Sequence, residues 1–312
     1  MRHEIQRRPP RPPLRFDRRL LAALLAFAAV SAAAQPLVVT YRGPENPNDR
    51  RVDYDNEALR LALEHTRATD GDFRLVPSPA MNRKRAFEAA RNDVYPNFVV
   101  VTSFESRFAE DRDIRWVRFP VDLGITGYRI CFVSSAIKAE VARAAKNLAT
   151  LKHYTHGQGA DWTDTTILRE NGFIVSPVSD YESLFRMVAA RRFDLFCRGV
   201  NEFAEEYRSH RDLPGLSYDE SFALVYPLPR FYFTHSGNRA LADRIERGLK
   251  LAWRDGSLVA LWHAKYGESI AFAKLSSRRV FRLENPLLQG LDFDFSKYLQ
   301  DPLKNVAPAQ KK

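Results

Sequence analysis

From Pro36 onward the chain alternates short runs rich in β-branched and aromatic residues with stretches of helical periodicity, which restricts it to open sheets flanked by helices. The strand Leu37 to Tyr41 is followed by a polar loop and then by a helix with an apolar face of Ala58, Leu59, Leu61, Ala62 and Leu63. A strand at Phe73 to Val76, a helix at Arg83 to Arg91 and a strand at Phe98 to Thr102 complete a β-α-β-α-β succession. Right-handed crossovers make these three strands parallel and bring their carboxyl ends to one edge, the edge at which open sheets bind ligands. That edge carries Tyr41, Arg42, the Ser78 to Asn82 segment, Thr102 and Ser103.

A second set begins beyond Pro120 to Gly127, with the strand Tyr128 to Val133. Strands at His153 to His156, Phe173 to Ser176, Phe193 to Cys197 and Leu216 to Tyr218 alternate with helices at Ser135 to Leu148, Trp162 to Asn171, Tyr181 to Ala190 and Asn201 to Tyr207. Gly172 reads as a helix stop and Asp180 as an N-cap. The run Phe222 to Thr234, interrupted by Pro227 and Pro229, leads to helices at Asn238 to Arg254 and Ser257 to Tyr266, with Asp255-Gly256 as the turn between them. This block has no parallel strands of its own, so it is expected to pack back on the first set. The polar ending from Leu299 to Lys312 is expected to be loosely ordered.

The first 34 residues have the layout of a secretory signal peptide: Arg7, Arg8, Arg11, Arg15, Arg18 and Arg19, an apolar run from Leu20 to Val30, and small residues up to Ala34. The run is shorter than the about 20 residues that span a bilayer. These residues hold seven of the 48 Lys and Arg and two of the 38 Asp and Glu, so the formal charge of +10 falls to +5 in the remainder. That charge is spread along the chain, so a nucleic-acid footprint is not supported. The mature length exceeds what one hydrophobic core usually serves, and two lobes are expected. Cys131 and Cys197 both lie in apolar runs; an oxidising compartment permits their pairing, and the sequence leaves open whether they pair.

The strand and helix from Val38 to Leu63, the Thr102 to Arg107 segment leading to Phe119-Pro120, and Arg192, Phe193 and Asp194 opening a strand together form a familiar order. Leu241-Ala242, Gly248-Leu249, Asp255-Gly256 and Trp262 to Gly267 extend it, as does the segment from Gly157 through Trp162 and Asp164 to Leu168 and on to Val175. Over nearly all of Pro36 to Gly267 the chain resembles the type 2 periplasmic binding proteins, and more narrowly a divergent branch of the bacterial extracellular solute-binding protein family 3, known for amino-acid receptors of ABC transporters. The resemblance implies an α/β fold of two lobes, each an open, mainly parallel sheet with flanking helices, joined by a two-segment hinge. Residues 35–125 plus 222–312 would form lobe one and residues 126–221 lobe two. Amino-acid binders of the family place an Asp after the strand that Phe193 to Cys197 resembles, where it receives the ligand's ammonium. Here Arg198 follows, which repels an ammonium and attracts an anion, while Glu202 stands one helical turn further on.

The resemblance also makes Arg107 the carboxylate-binding arginine; the alternative is a solvated side chain among Glu105, Glu110, Asp111 and Arg112. Arg198 sits at a strand end, with an ion pair to Glu202 or Glu205 as the alternative. Gly157, Gln158 and Gly159 form a small-residue loop before a helix whose N–H groups suit an anion, but Asp161 beside it repels a phosphate and reads first as the helix N-cap. Tyr41, Tyr54, Trp162 and Tyr181 are aromatics near strand ends or helix starts, where a ring can flank a ligand, with core packing as the alternative. His153 and His156, three apart on a strand, point to opposite faces and make a poor metal pair. The chain has neither a Gly-x-Ser-x-Gly elbow nor a Cys in an activating context.

The expected function is therefore capture, without catalysis or cofactor, of a small polar, carboxylate-bearing molecule by a monomeric periplasmic receptor. It would serve an ABC-type permease or a membrane sensor. Tyr41, Arg42, Thr102, Ser103, Arg107, Gln158, Trp162, Arg198 and Glu202 are its expected ligand residues. The alternatives are an enzyme built on the binding-protein fold and a protein-interaction scaffold with a degenerate cleft.

Overall fold

The computed structural model describes residues 35–45 and 49–304; the signal-peptide expectation lies outside them. The first set comprises β1 (Leu37–Tyr41), α1 (Asp53–His65), α2 (Arg67–Asp70), β2 (Phe73–Pro77), α3 (Arg83–Arg91), β3 (Val100–Ser103), α4 (Arg107–Glu110) and β4 (Ile114–Trp116). The second comprises β5 (Tyr128–Ser134), α5 (Lys138–Ala144), α6 (Leu148–Leu151), β6 (Thr155–Gly159), α7 (Thr163–Glu170), β7 (Ile174–Val178), α8 (Tyr181–Ala189), β8 (Leu195–Gly199), α9 (Val200–His210), β9 (Leu216–Tyr218) and β10 (Phe222–Val225). The closing block comprises β11 (Arg230–His235), α10 (Arg239–Arg254), α11 (Ser257–Ala273) and β12 (Arg279–Arg282).

β1 and β2 pair in parallel, and a parallel bridge from Tyr41 to Val99 carries the sheet on to β3. β11 then inserts between β3 and β4, antiparallel to both. The second sheet runs β12-β10-β5-β8-β6-β7, with β9 also on β5. It is mixed: β5 is antiparallel to β8, β9 and β10, whereas β6 is parallel to β7 and β8. Cys131 and Cys197, partners across β5 and β8, form a disulfide, which closes the question the sequence left open. Asp180 caps α8 by accepting from the Ser183 N–H, and Gly172 takes the left-handed backbone expected of a helix stop.

The outward crossing falls at Pro120 to Gly127, as expected, but the return differs. The expected boundary at 221/222 assigns all that follows to the first set, whereas β10 and β12 pair with each other inside the second sheet. The return is instead at Tyr226 to Pro229, where two prolines lack the N–H groups that a continuing ladder needs. The two crossings are tied together: the Tyr226 N–H donates to Gly127 O at 3.1 Å and the Val121 N–H donates to Arg230 O at 2.8 Å. One apolar core runs from Val39, Leu59 and Leu63 through Phe119, Val121 and Leu123 of the crossing to Ile130, Phe132 and Phe196. Trp262 of α11 is fully buried in it and donates its indole N–H to Asp122 O at 2.9 Å.

Of the ending expected to be loosely ordered, residues 299–304 are described and residues 305–312 lie outside the described residues. Beyond α11 the buried Arg278 guanidinium donates to Asp219 O at 2.7 Å and Phe222 O at 3.1 Å, and β12 adds to the second sheet. Leu283 joins the second sheet's core, while Leu288, Leu291 and Phe293 pack on the core around Phe104 and Phe231 of the first sheet. Tyr298 then lies 4.4 Å from the Phe119 ring, and the Gln300 N–H donates to Leu123 O at 2.9 Å. Segment 299–304 meets the crossing through Leu303, which packs on the core, and through Leu299, which lies against Gly124 while its side chain stays partly exposed.

Candidate functional site

The ligand edge of the first sheet is lined with paired charges. Arg42, following β1, bonds Glu45, and Arg51 donates to Asp49 at 2.8 and 3.0 Å. These bonds hold the Asp49 carboxyl down at about 2 despite its partial burial. Arg230, opening β11, grips Asp55 of the first turn of α1 in a fork, at 2.7 and 3.3 Å. Burial pushes Asp55 up and Arg230 opposes that push. A cavity of about 10 Å³, room for about one water, lies between Tyr41, Arg42, Asp55 and Tyr232. Thr102 and Ser103 are buried in β3, and Arg42 Nε has no hydrogen-bond partner among the described residues.

The opposing edge belongs to the second sheet. Arg198, at the carboxyl end of β8, is buried and donates from Nε to both Glu206 oxygens at 2.9 and 3.0 Å, and from Nη2 to Glu206 at 2.6 Å and to Glu202. Its guanidinium carbon lies 4.4 Å from the Trp162 ring centre, 5.6 Å from Tyr181 and 5.7 Å from Phe196. The Tyr181 hydroxyl donates to Glu206 at 2.7 Å, and its pKa is raised, chiefly by burial and then by the Glu206 charge. Beneath this cage Arg129 of β5 pairs with Asp164 of α7 at 2.7 Å, and the Tyr226 hydroxyl donates to the same carboxylate. Removing one side of such a buried pair leaves a charge uncompensated, at a cost of about 3–5 kcal/mol.

The two edges touch. Arg83 of α3 donates to Asp161 O, and the Thr163 hydroxyl donates to Glu105 at 3.2 Å. Arg51 stands 5.5 Å from the Tyr181 ring centre, so Tyr181 is flanked by one arginine from each edge.

Of the expected ligand residues, Tyr41, Arg42, Thr102 and Ser103 fall on the first edge, and Trp162, Arg198 and Glu202 converge on the second. Arg107 does not join them: its side chain is 70% exposed and donates to Glu105 at 2.8 Å, the alternative foreseen for it. Gln158 belongs to β6 and not to a loop, and its amide donates to Cys197 O at 3.2 Å. Gly159 admits no Cβ because the Trp162 ring covers it, so it serves packing. His156 is buried beside Cys197, and burial pushes its pKa down to about 4. Sequence reasoning missed Arg129, Asp164, Tyr226, Asp55, Arg230 and Glu206. Arg129 inside an apolar strand run was the available signal, since a charge there needs a buried partner.

Among the described residues no helix is long and apolar enough to cross a membrane. No family model matches the chain and no curated protein matches it. Solved structures do. The probable amino-acid ABC transporter extracellular-binding protein ytmK from Bacillus subtilis matches at a TM-score of 0.55 and 15% identity, over 75% of this chain and 99% of that one. The GluR0 ligand binding core in complex with L-glutamate matches at a TM-score of 0.54 and 11% identity, over 75% of this chain and 100% of that one. An ancestral arginine-binding protein bound to arginine matches at 0.53 and 14% identity, also over 75% and 100%. At these identities the likeness speaks for architecture alone: the chain has the two-lobed type 2 periplasmic binding protein fold.

Proposed function

We propose that the protein is a periplasmic solute receptor that closes its two lobes on a small polar, carboxylate-bearing molecule and presents it to an ABC-type permease or a membrane sensor. The observation that carries this reading is the meeting of two ligand edges, each rich in arginine, across a pair of crossing segments. A ligand carboxylate entering there exchanges for an internal one such as Glu45 or Glu202, so no arginine is left uncompensated. Affinity for the closed over the open arrangement is then the whole mechanism, with no reaction step.

A thermal-shift screen of the purified protein against amino acids, carboxylates, sugars, polyamines and phosphorylated metabolites tests it. A ligand at about 100 times its dissociation constant adds about 2.7 kcal/mol, which is a rise of several degrees in a chain of this size. Arg51→Ala, a change at a half-exposed side chain, is expected to weaken that response at least about tenfold, a loss of about 1.4 kcal/mol. The enclosure of Arg198 by Glu202, Glu206 and Trp162 favours a second reading, a protein-facing scaffold whose cleft its own side chains fill. The absence of a shift with every ligand class selects that second reading.

A further inference from the structure

We propose that residues 278–304 form a strap that sets the angle between the lobes. The segment is anchored at three places in turn. On the second lobe, β12 pairs with β10, the Leu283 N–H donates to Val225 O at 2.8 Å, and Asn171 exchanges hydrogen bonds with the backbone of Glu284 at 2.8 and 3.2 Å. On the first lobe, Asp292 pairs with Arg118, and Phe293 meets the Phe231 ring at 5.9 Å.

The third anchor is the hinge, which the strap holds on both of its segments. Asn285 donates to Pro227 O at 2.8 Å on the returning segment. On the outgoing one, Tyr298 packs on Phe119, the Gln300 N–H donates to Leu123 O, and the Tyr128 hydroxyl donates to Asp301 at 3.2 Å. Gly124 has φ +86°, and a Cβ placed there would lie 2.7 Å from the Leu299 side chain. The hinge backbone is therefore shaped to receive the strap.

Rotation of one lobe against the other turns on the backbone of Pro120 to Gly127 and Tyr226 to Pro229. Because the strap is fastened to both lobes and to both hinge segments, that rotation has to release at least one anchor. The strap thereby limits opening, and whatever detaches Leu299 and Tyr298 from the hinge widens the range of lobe angles. The inference rests on the receptor reading for its account of lobe motion, but its test uses no ligand, so either can fail alone.

Spin labels at Val94→Cys and Ile174→Cys, exposed positions on the first and second lobes, report the interlobe distance distribution in the ligand-free protein. The labelled protein is expected to give one narrow distribution. Leu299→Asp, and separately a chain ending at Ser277, are expected to broaden it or add a second distance. Leu299→Asp leaves β12 in place, and it decides the matter if the shortened chain does not fold. An unchanged distribution in a folded Leu299→Asp protein overturns the proposal, and so does a wild-type distribution already as broad as the variant's.

Discussion

Asp122 is fully buried in the crossing, accepts from the Thr126 hydroxyl and the Gly124 N–H, and has its pKa pushed up to about 6 by burial, with Arg230 opposing and Asp55 adding to the push. A raised carboxyl pKa means that between about pH 4 and pH 6 the folded protein holds a proton the unfolded chain has released. Stability from this group therefore falls as pH rises through that window. Asp122→Asn is expected to remove that slope and to raise stability at pH 7 by about 1–3 kcal/mol, read from urea unfolding at several pH values. A variant less stable at pH 7 than at pH 4, in the same proportion as wild type, would assign the slope elsewhere. At this scale the place of Arg198 at a strand end was legible, because the apolar run before it marks the strand. Its main partner was not. The sequence offered Glu202 and Glu205, and the choice of Glu206 depends on α9 starting at Val200, one residue before the expected start, and on the side-chain rotamers of the cage.

Between elements, the disulfide joins β5 to β8 and closes a separation of 66 residues. Loop-closure entropy for a separation of that size is worth about 4 kcal/mol. Cys131→Ser with Cys197→Ser is expected to lower the unfolding midpoint by several degrees in a calorimetric scan, while reductant should leave the double variant's midpoint unmoved. Element type was readable through most of the second set, yet β6 ends three residues and β8 two residues beyond their expected ends. Gly157 and Gly159 read as loop residues because glycine favours no strand. The physical reason for their presence is packing: the Phe193 ring lies over Gly157 and the Trp162 ring over Gly159, where any side chain would collide. Such a requirement is long-range and leaves no mark on local periodicity.

For the whole molecule, the alternation of strands and helices revealed two sets of elements and the outward crossing, because each depends on neighbours in sequence. The return of the chain and the packing of its ending depend on pairings between distant segments, β10 with β12 and Tyr298 with Phe119, and so stayed hidden. The interposition of β11 between β3 and β4 has a consequence for synthesis. A ribosome delivers β3 and β4 early, but the strand that joins them arrives only after the whole second set. In pulse-labelling hydrogen exchange during refolding, β5, β6 and β8 are expected to gain protection no later than β3 and β4; the reverse order would show that the first sheet closes without β11. The half of the protein made first thus waits, unpaired at its centre, for a strand from the half made last, and until then its exposed edges stay open to pairing with other chains.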